Sequence, residues 1–103
     1  MKLVKTPKAC ENIGEIRDAV DKIDLEIVQL FALRHSYVKE IVRYKSSDEE
    51  EIIAKERKEH VLKERAAWAL ERGVDPGLME DIFRLLIEKN IQMQFDINNN
   101  SDN

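Results

Sequence analysis

Cysteine occurs once in this chain, at Cys10, and that excludes an internal disulfide. Proline occurs twice, glycine three times, and aromatic residues make up only 6% of the 103 positions. Strands and tight turns draw on aromatic, β-branched, Gly and Pro residues, so their scarcity leans the chain toward helix. No apolar run is long enough to span a bilayer, and no secretory apolar segment stands out, so a reducing, cytoplasmic location is expected. A surplus of positive charge is also missing. The formal net charge is −4, which argues against bulk electrostatic binding of a phosphate backbone but leaves room for a local basic pocket. His35 and His60 stand on different predicted helices without a ligand cluster around them, so no metal site is expected. There is no Gly-rich phosphate cradle and no nucleophile–base pair, and no cofactor is expected.

What is present is charge and helical periodicity. Charged residues make up 37% and hydrophobic residues 43%, enough for one domain with its own core. Asn12-Ile13-Gly14-Glu15 reads as a capping box. Beyond it Ile16, Val20, Ile23, Ile27, Leu30, Phe31, Val38 and Ile41 fall on one face at about 100° per residue. No Pro or Gly interrupts, and the spacing predicts one helix from about Ile13 to about Lys45. Ser46 to Glu50 is a break with N-cap chemistry, and a second helix is expected from about Glu50 to Arg72. Gly73 fits the C′ position with Val74 as C″. Asp75-Pro76 fits N-cap and N1 of a third helix, which carries Met79, Ile82, Phe83, Leu86, Ile87 and Met93 and fades near Asp96. Residues 1–97 read as one helical domain and 98–103 as a disordered polar tail.

The first helix would be roughly 50 Å long, whereas a compact globule of this size has a radius of gyration of only about 13 Å. Its apolar stripe would outrun its own chain, and a second copy packed along it is the simplest cover. An intertwined helical dimer is expected.

Polar residues interrupt the core faces. In the segment RHSYVKEIVRYK at 34–45, Arg34 projects in the direction of Ile16, and Lys45 close to Ile27. Arg17 lies at the edge of the stripe. On the third helix Asn90 projects between Leu86 and Phe83, and Gln94 beside Phe83 and Ile87. One such residue alone would be explained by a buried ion pair, with Glu56 or Glu64 as counter-ion, or by a lysine reaching out to solvent. Arg34, Lys45, Asn90 and Gln94 together point instead to a pocket whose missing counter-charge is an anionic ligand. Arginine offers a planar fork for a carboxylate, lysine a point cation, and glutamine an uncharged NH₂ donor. That inventory suits a small organic acid with several oxygens. Trp68 reads as a packing anchor, Met79 and Met93 as core filler, and the acidic run DEEE at 48–51 as a solvated first turn favoured by the helix dipole.

The run IR-x-x-x-D-x-I-D-x-x-I-V-x-L-x-x-x-R from Ile16 to Arg34, then Lys45, then Glu56-Arg57, then Gln94, resembles the all-helical chorismate mutases. The resemblance covers about residues 6 to 95. The opening KTPKAC-x-x-I-x-x-IR and the segment ERAAWALERGVD resemble the isochorismate–pyruvate lyase branch that serves salicylate synthesis. The resemblance implies an all-α fold of three helices in an intertwined homodimer with two buried sites. It implies that Arg17 reaches into the partner's site, Arg34 holds a substrate carboxylate, Lys45 and Gln94 donate to the ether oxygen, and Glu56 faces the ring hydroxyl. Lys55 and Asn90 complete the expected substrate-binding set.

Three positions depart from the mutase pattern: Ile52 where the family carries an acid, Lys55 where it carries an arginine, and Asn90 where it carries a serine. The lost acid looks lyase-like and the retained cation mutase-like. The expectation is a chorismate mutase turning chorismate into prephenate. An isochorismate–pyruvate lyase is the alternative, and a non-catalytic helical ligand-binding or dimerisation domain the third reading. The segment 46–51, between Lys45 and Glu56, could act as a lid.

Overall fold

The computed structural model describes the backbone of residues 5–44 and 48–101. Three long helices dominate: α1 (Ile13–Ile41), α2 (Asp48–Glu71) and α3 (Pro76–Ser101), with short 3-10 turns at Pro7–Ala9 and Val42–Tyr44. No strand occurs among the described residues. The chain divides into two compact units, Met1–Tyr37 and Val38–Asn103.

The first unit is built around α1. Its start follows from the capping pair. Asn12 Oδ1 accepts the Glu15 amide at 2.9 Å, while Glu15 Oε2 reaches back to the Glu11 amide at 2.9 Å. Lys5 Nζ adds an ion pair to Glu15 at 3.0 Å. These contacts hold the Glu15 carboxyl below the usual value of 4.5, the Glu11 amide first and the Lys5 ammonium second. Helix α1 contains no buried residue. Ile16, Val20, Ile27, Leu30 and Phe31 of the expected stripe are all exposed, and Ile23 is half-buried.

Helix α1 ends sooner than its apolar spacing predicts. It closes at Ile41 and tightens into the 3-10 turn Val42–Tyr44, instead of running to Lys45. Such tightening gives orphan carbonyls of a helix end a donor three residues on. Arg43 pairs with Glu40 at 2.9 Å and lies 5.8 Å from the Tyr44 ring. Residues 45–47 lie outside the described residues, so Lys45, Ser46 and Ser47 carry no structural statement, while α2 already begins at Asp48 where the sequence predicts a break as far as Glu50.

In the second unit α2 and α3 pack as a hairpin. Lys58 meets Glu88 at 3.9 Å, and Arg65 lies 5.6 Å from the Phe83 ring. One number rises as the other falls, so the helices are antiparallel. The turn is the one its sequence predicts. Gly73 takes φ +73, Val74 N donates to Ala69 O at 2.9 Å, and Gly73 N to Leu70 O at 3.3 Å. This is a Schellman closure, and the left-handed φ is why glycine stands there. Asp75 then caps α3 by accepting the Gly77 amide at 3.0 Å, with Pro76 at the first helical position.

The core of this unit comprises Val61, Leu62 and Ala69 from α2, joined by one buried polar residue of α3, Gln94. Helix α3 continues past Asp96 to Ser101, so 98–101 is helical where the polar composition reads as a tail. Extending an existing helix adds one bond per residue without a new nucleation cost, which lets a polar segment follow an apolar one. Among the described residues no helix is long and apolar enough to cross a membrane.

Candidate active site

Lys45 lies outside the described residues, and the other candidate site residues fall in the two units. In the first, Arg17 is exposed and Arg34 half-buried, both on α1. Arg34 is not without a partner. Seventeen residues of straight helix separate Arg17 and Arg34 by about 25 Å. Two arginine side chains cannot bridge that span onto one small ligand.

In the second unit Gln94 is 8% exposed, and its Nε2 donates to the backbone carbonyl of Val38 at 3.3 Å. This bond orients the amide, and it is not the only contact that Gln94 makes. The Val42–Tyr44 turn packs against α3 as well. The chain therefore passes from Val38 to Tyr44 alongside α3, and Lys45 follows immediately in sequence.

Asn90 lies one turn before Gln94 and is half-buried; neither is without a partner. The hairpin register set by Lys58–Glu88 and Arg65–Phe83 carries Glu56 of α2 level with Asn90 of α3. Lys55 and Glu56 are exposed. The end of the hairpin remote from Gly73 thus collects Lys55, Glu56, Asn90 and Gln94. The side chain of Ile52 lies outside the described set.

Glu64, one of two acids weighed as counter-ions for the core-face cations, is engaged elsewhere. It forms an ion pair with its neighbour Arg65 and lies 3.5 Å from His60 Nε2. Two features escape the sequence reading. One is the Val38 carbonyl, a backbone partner that side-chain patterns do not reveal. The other is Arg65, whose guanidinium lies 4.4 Å from the Trp68 ring; the three-residue spacing on one helix was the available signal.

The sequence pattern of the family described as chorismate mutase type II matches residues 16–95. The chain belongs to that family. Three long helices without a strand among the described residues suit the type II chorismate mutases. The isochorismate pyruvate lyase of Pseudomonas aeruginosa is 45% identical over 84 residues, 82% of each chain. The chorismate mutase of Methanocaldococcus jannaschii is 32% identical over 84 residues, 82% of this chain and 85% of the relative. The T-protein of Haemophilus influenzae is 32% identical over 74 residues, 72% of this chain but only 20% of that larger protein. The chain is an enzyme of the type II chorismate mutase family, and both a mutase and a lyase stand among its relatives.

Proposed function

We propose that this enzyme breaks the enolpyruvyl ether C–O bond of a chorismate-type dicarboxylate, with isochorismate as principal substrate and salicylate and pyruvate as products. The observation that carries this choice is the 45% identity to an isochorismate pyruvate lyase over most of both chains. Rearrangement of chorismate to prephenate is the second reading. It is favoured by the cation at Lys55 and by the 32% identical chorismate mutase.

Both reactions break the same bond and need neither a nucleophile nor an added cofactor. In the elimination, the ring hydrogen ends on the enolpyruvyl methylene, which becomes the methyl of pyruvate, and the ring becomes aromatic. In the rearrangement, a C–C bond forms instead. Each requires the enolpyruvyl arm to be held over the ring and negative charge on the ether oxygen to be stabilised as the bond opens. Lys45 supplies a cation to that oxygen. Gln94, oriented through its bond to Val38 O, supplies an N–H. Arg34 takes a substrate carboxylate as a bidentate fork. Glu56 faces the ring hydroxyl, and Lys55 and Asn90 line the pocket.

Arg17 acts from a second copy, because some 25 Å of helix separates it from Arg34 on its own chain. The exposed apolar stripe of α1 supports the same arrangement, since a homodimer packed along it covers Ile16, Val20, Ile27, Leu30 and Phe31. The protein works in the cytoplasm.

Lys45→Ala tests the assignment. Turnover should fall by about a thousandfold or more while the helical dimer persists by circular dichroism and sedimentation. Activity near that of the unaltered protein would refute the role of Lys45.

A further inference from the structure

The hairpin has a concave site at the end remote from Gln94. A cleft of about 410 Å³ opens beside the Gly73 turn, within the size range of small-molecule pockets. Its walls are Trp68, Val74, Met79 and Phe83, and its ionisable lining is two arginines, Arg65 and Arg72. Trp68 is 46% exposed, so much of its surface stays open to a ligand.

Arg65 carries the inference. Its guanidinium lies 4.4 Å from the Trp68 ring and 5.6 Å from that of Phe83. Its Nη1 is taken by Glu64, and its Nε–H is buried without an acceptor among the described residues. An orphaned buried donor costs free energy, and a cation held between rings in an apolar cleft is poorly hydrated. Arg72 stands at the rim, donating to Trp68 O at 3.0 Å, with Glu71 at 3.5 Å. Two guanidinium groups, each partly offset by a neighbouring carboxylate, leave room for one added negative charge and not for a polyanion.

We propose that this cleft is a binding site for a small aromatic monocarboxylate, separate from the catalytic end of the hairpin. The ring packs against Trp68 and Phe83, and the carboxylate pairs with the guanidinium groups of Arg65, whose side chain keeps 19% exposure, and Arg72.

Trp68 is the chain's single tryptophan, so its emission reports occupancy directly. The full-length protein is titrated with benzoate, and with benzylamine as a ring of opposite charge. Benzoate should produce a saturable change in emission and benzylamine none. Arg72→Gln, at an exposed position, and Arg65→Lys, which keeps charge but loses the fork, should each weaken benzoate by about tenfold, the loss of one charge-assisted hydrogen bond. Lys45→Ala should leave the titration unchanged. If Arg65→Lys loses helicity, Arg72→Gln decides. The proposal is overturned by an absent or unsaturable benzoate response, by an equal response to benzylamine, or by full affinity in Arg72→Gln. Loss of the response in Lys45→Ala would move the carboxylate to the catalytic end. Trp68 emission that changes with protein concentration and not with benzoate would give the cleft to a second copy of the chain.

Discussion

Gln94 on α3 donates to the carbonyl of Val38 at 3.3 Å, tying the end of the hairpin remote from Gly73 to the segment that leads directly to Lys45. The bond has two consequences. It gives a buried amide one of its partners, and it orients the group. Gln94→Leu keeps bulk but removes both donors. Stability should fall by about 1–2 kcal/mol, the range for an unmet buried polar partner, as read from urea unfolding. With either substrate kcat/KM should fall by about a hundredfold, as for loss of one donor to a developing oxyanion. A stability loss with unchanged kcat/KM would confine Gln94 to a structural role.

In the first unit, the α1 cap titrates. The Glu15 carboxyl is held below 4.5 by the Glu11 amide and the Lys5 ammonium. Its folded value is depressed, so its contribution to stability is present in full above the unfolded value and is lost as pH falls through the folded one. An NMR titration should find Glu15 protonating below 4.5, with the Glu11 amide shifting in step. Glu15→Gln should remove that step from the acid unfolding profile. A Glu15 titrating at or above the ordinary glutamate value would contradict the cap.

Much of this architecture is legible in the sequence because caps are local. Asn12 and Glu15, Gly73 and Val74, and Asp75 and Pro76 each sit at the positions that their side chains or φ preferences dictate. The burial of Gln94 follows from its projection between Phe83 and Ile87. Other features depend on long-range or competing contacts. Nothing in Val42-Arg43-Tyr44 announces a change to 3-10 geometry, since no Pro or Gly marks it. Glu64 carries the right charge to answer a distant cation, yet the nearer Arg65 takes it. The turn of α3 beyond Asp96 reads as tail by composition and is helix by continuation. Choice of substrate is the least legible, because Ile52, Lys55 and Asn90 pull in different directions.

The α1 stripe provides a test of assembly. Val20→Glu with Ile27→Glu should shift the protein toward monomer by about a hundredfold or more in dissociation constant, since each buries an unpaired charge in the dimer. Complementation is more specific. Arg17→Ala and Lys45→Ala should each be nearly inactive alone. An equimolar, re-equilibrated mixture should regain about a quarter of the original activity, because half the dimers are mixed and each mixed dimer has one intact site. No recovery on mixing would place Arg17 outside the partner's site.

The most direct measurement is a paired product assay. The purified protein is incubated separately with chorismate and with isochorismate, and prephenate, salicylate and pyruvate are quantified. Salicylate and pyruvate should form in equal amounts from isochorismate, with a higher kcat/KM than prephenate formation from chorismate. A higher kcat/KM for prephenate would make the enzyme a mutase that tolerates Ile52. Tight binding of either dicarboxylate without turnover of either would contradict the catalytic assignment itself.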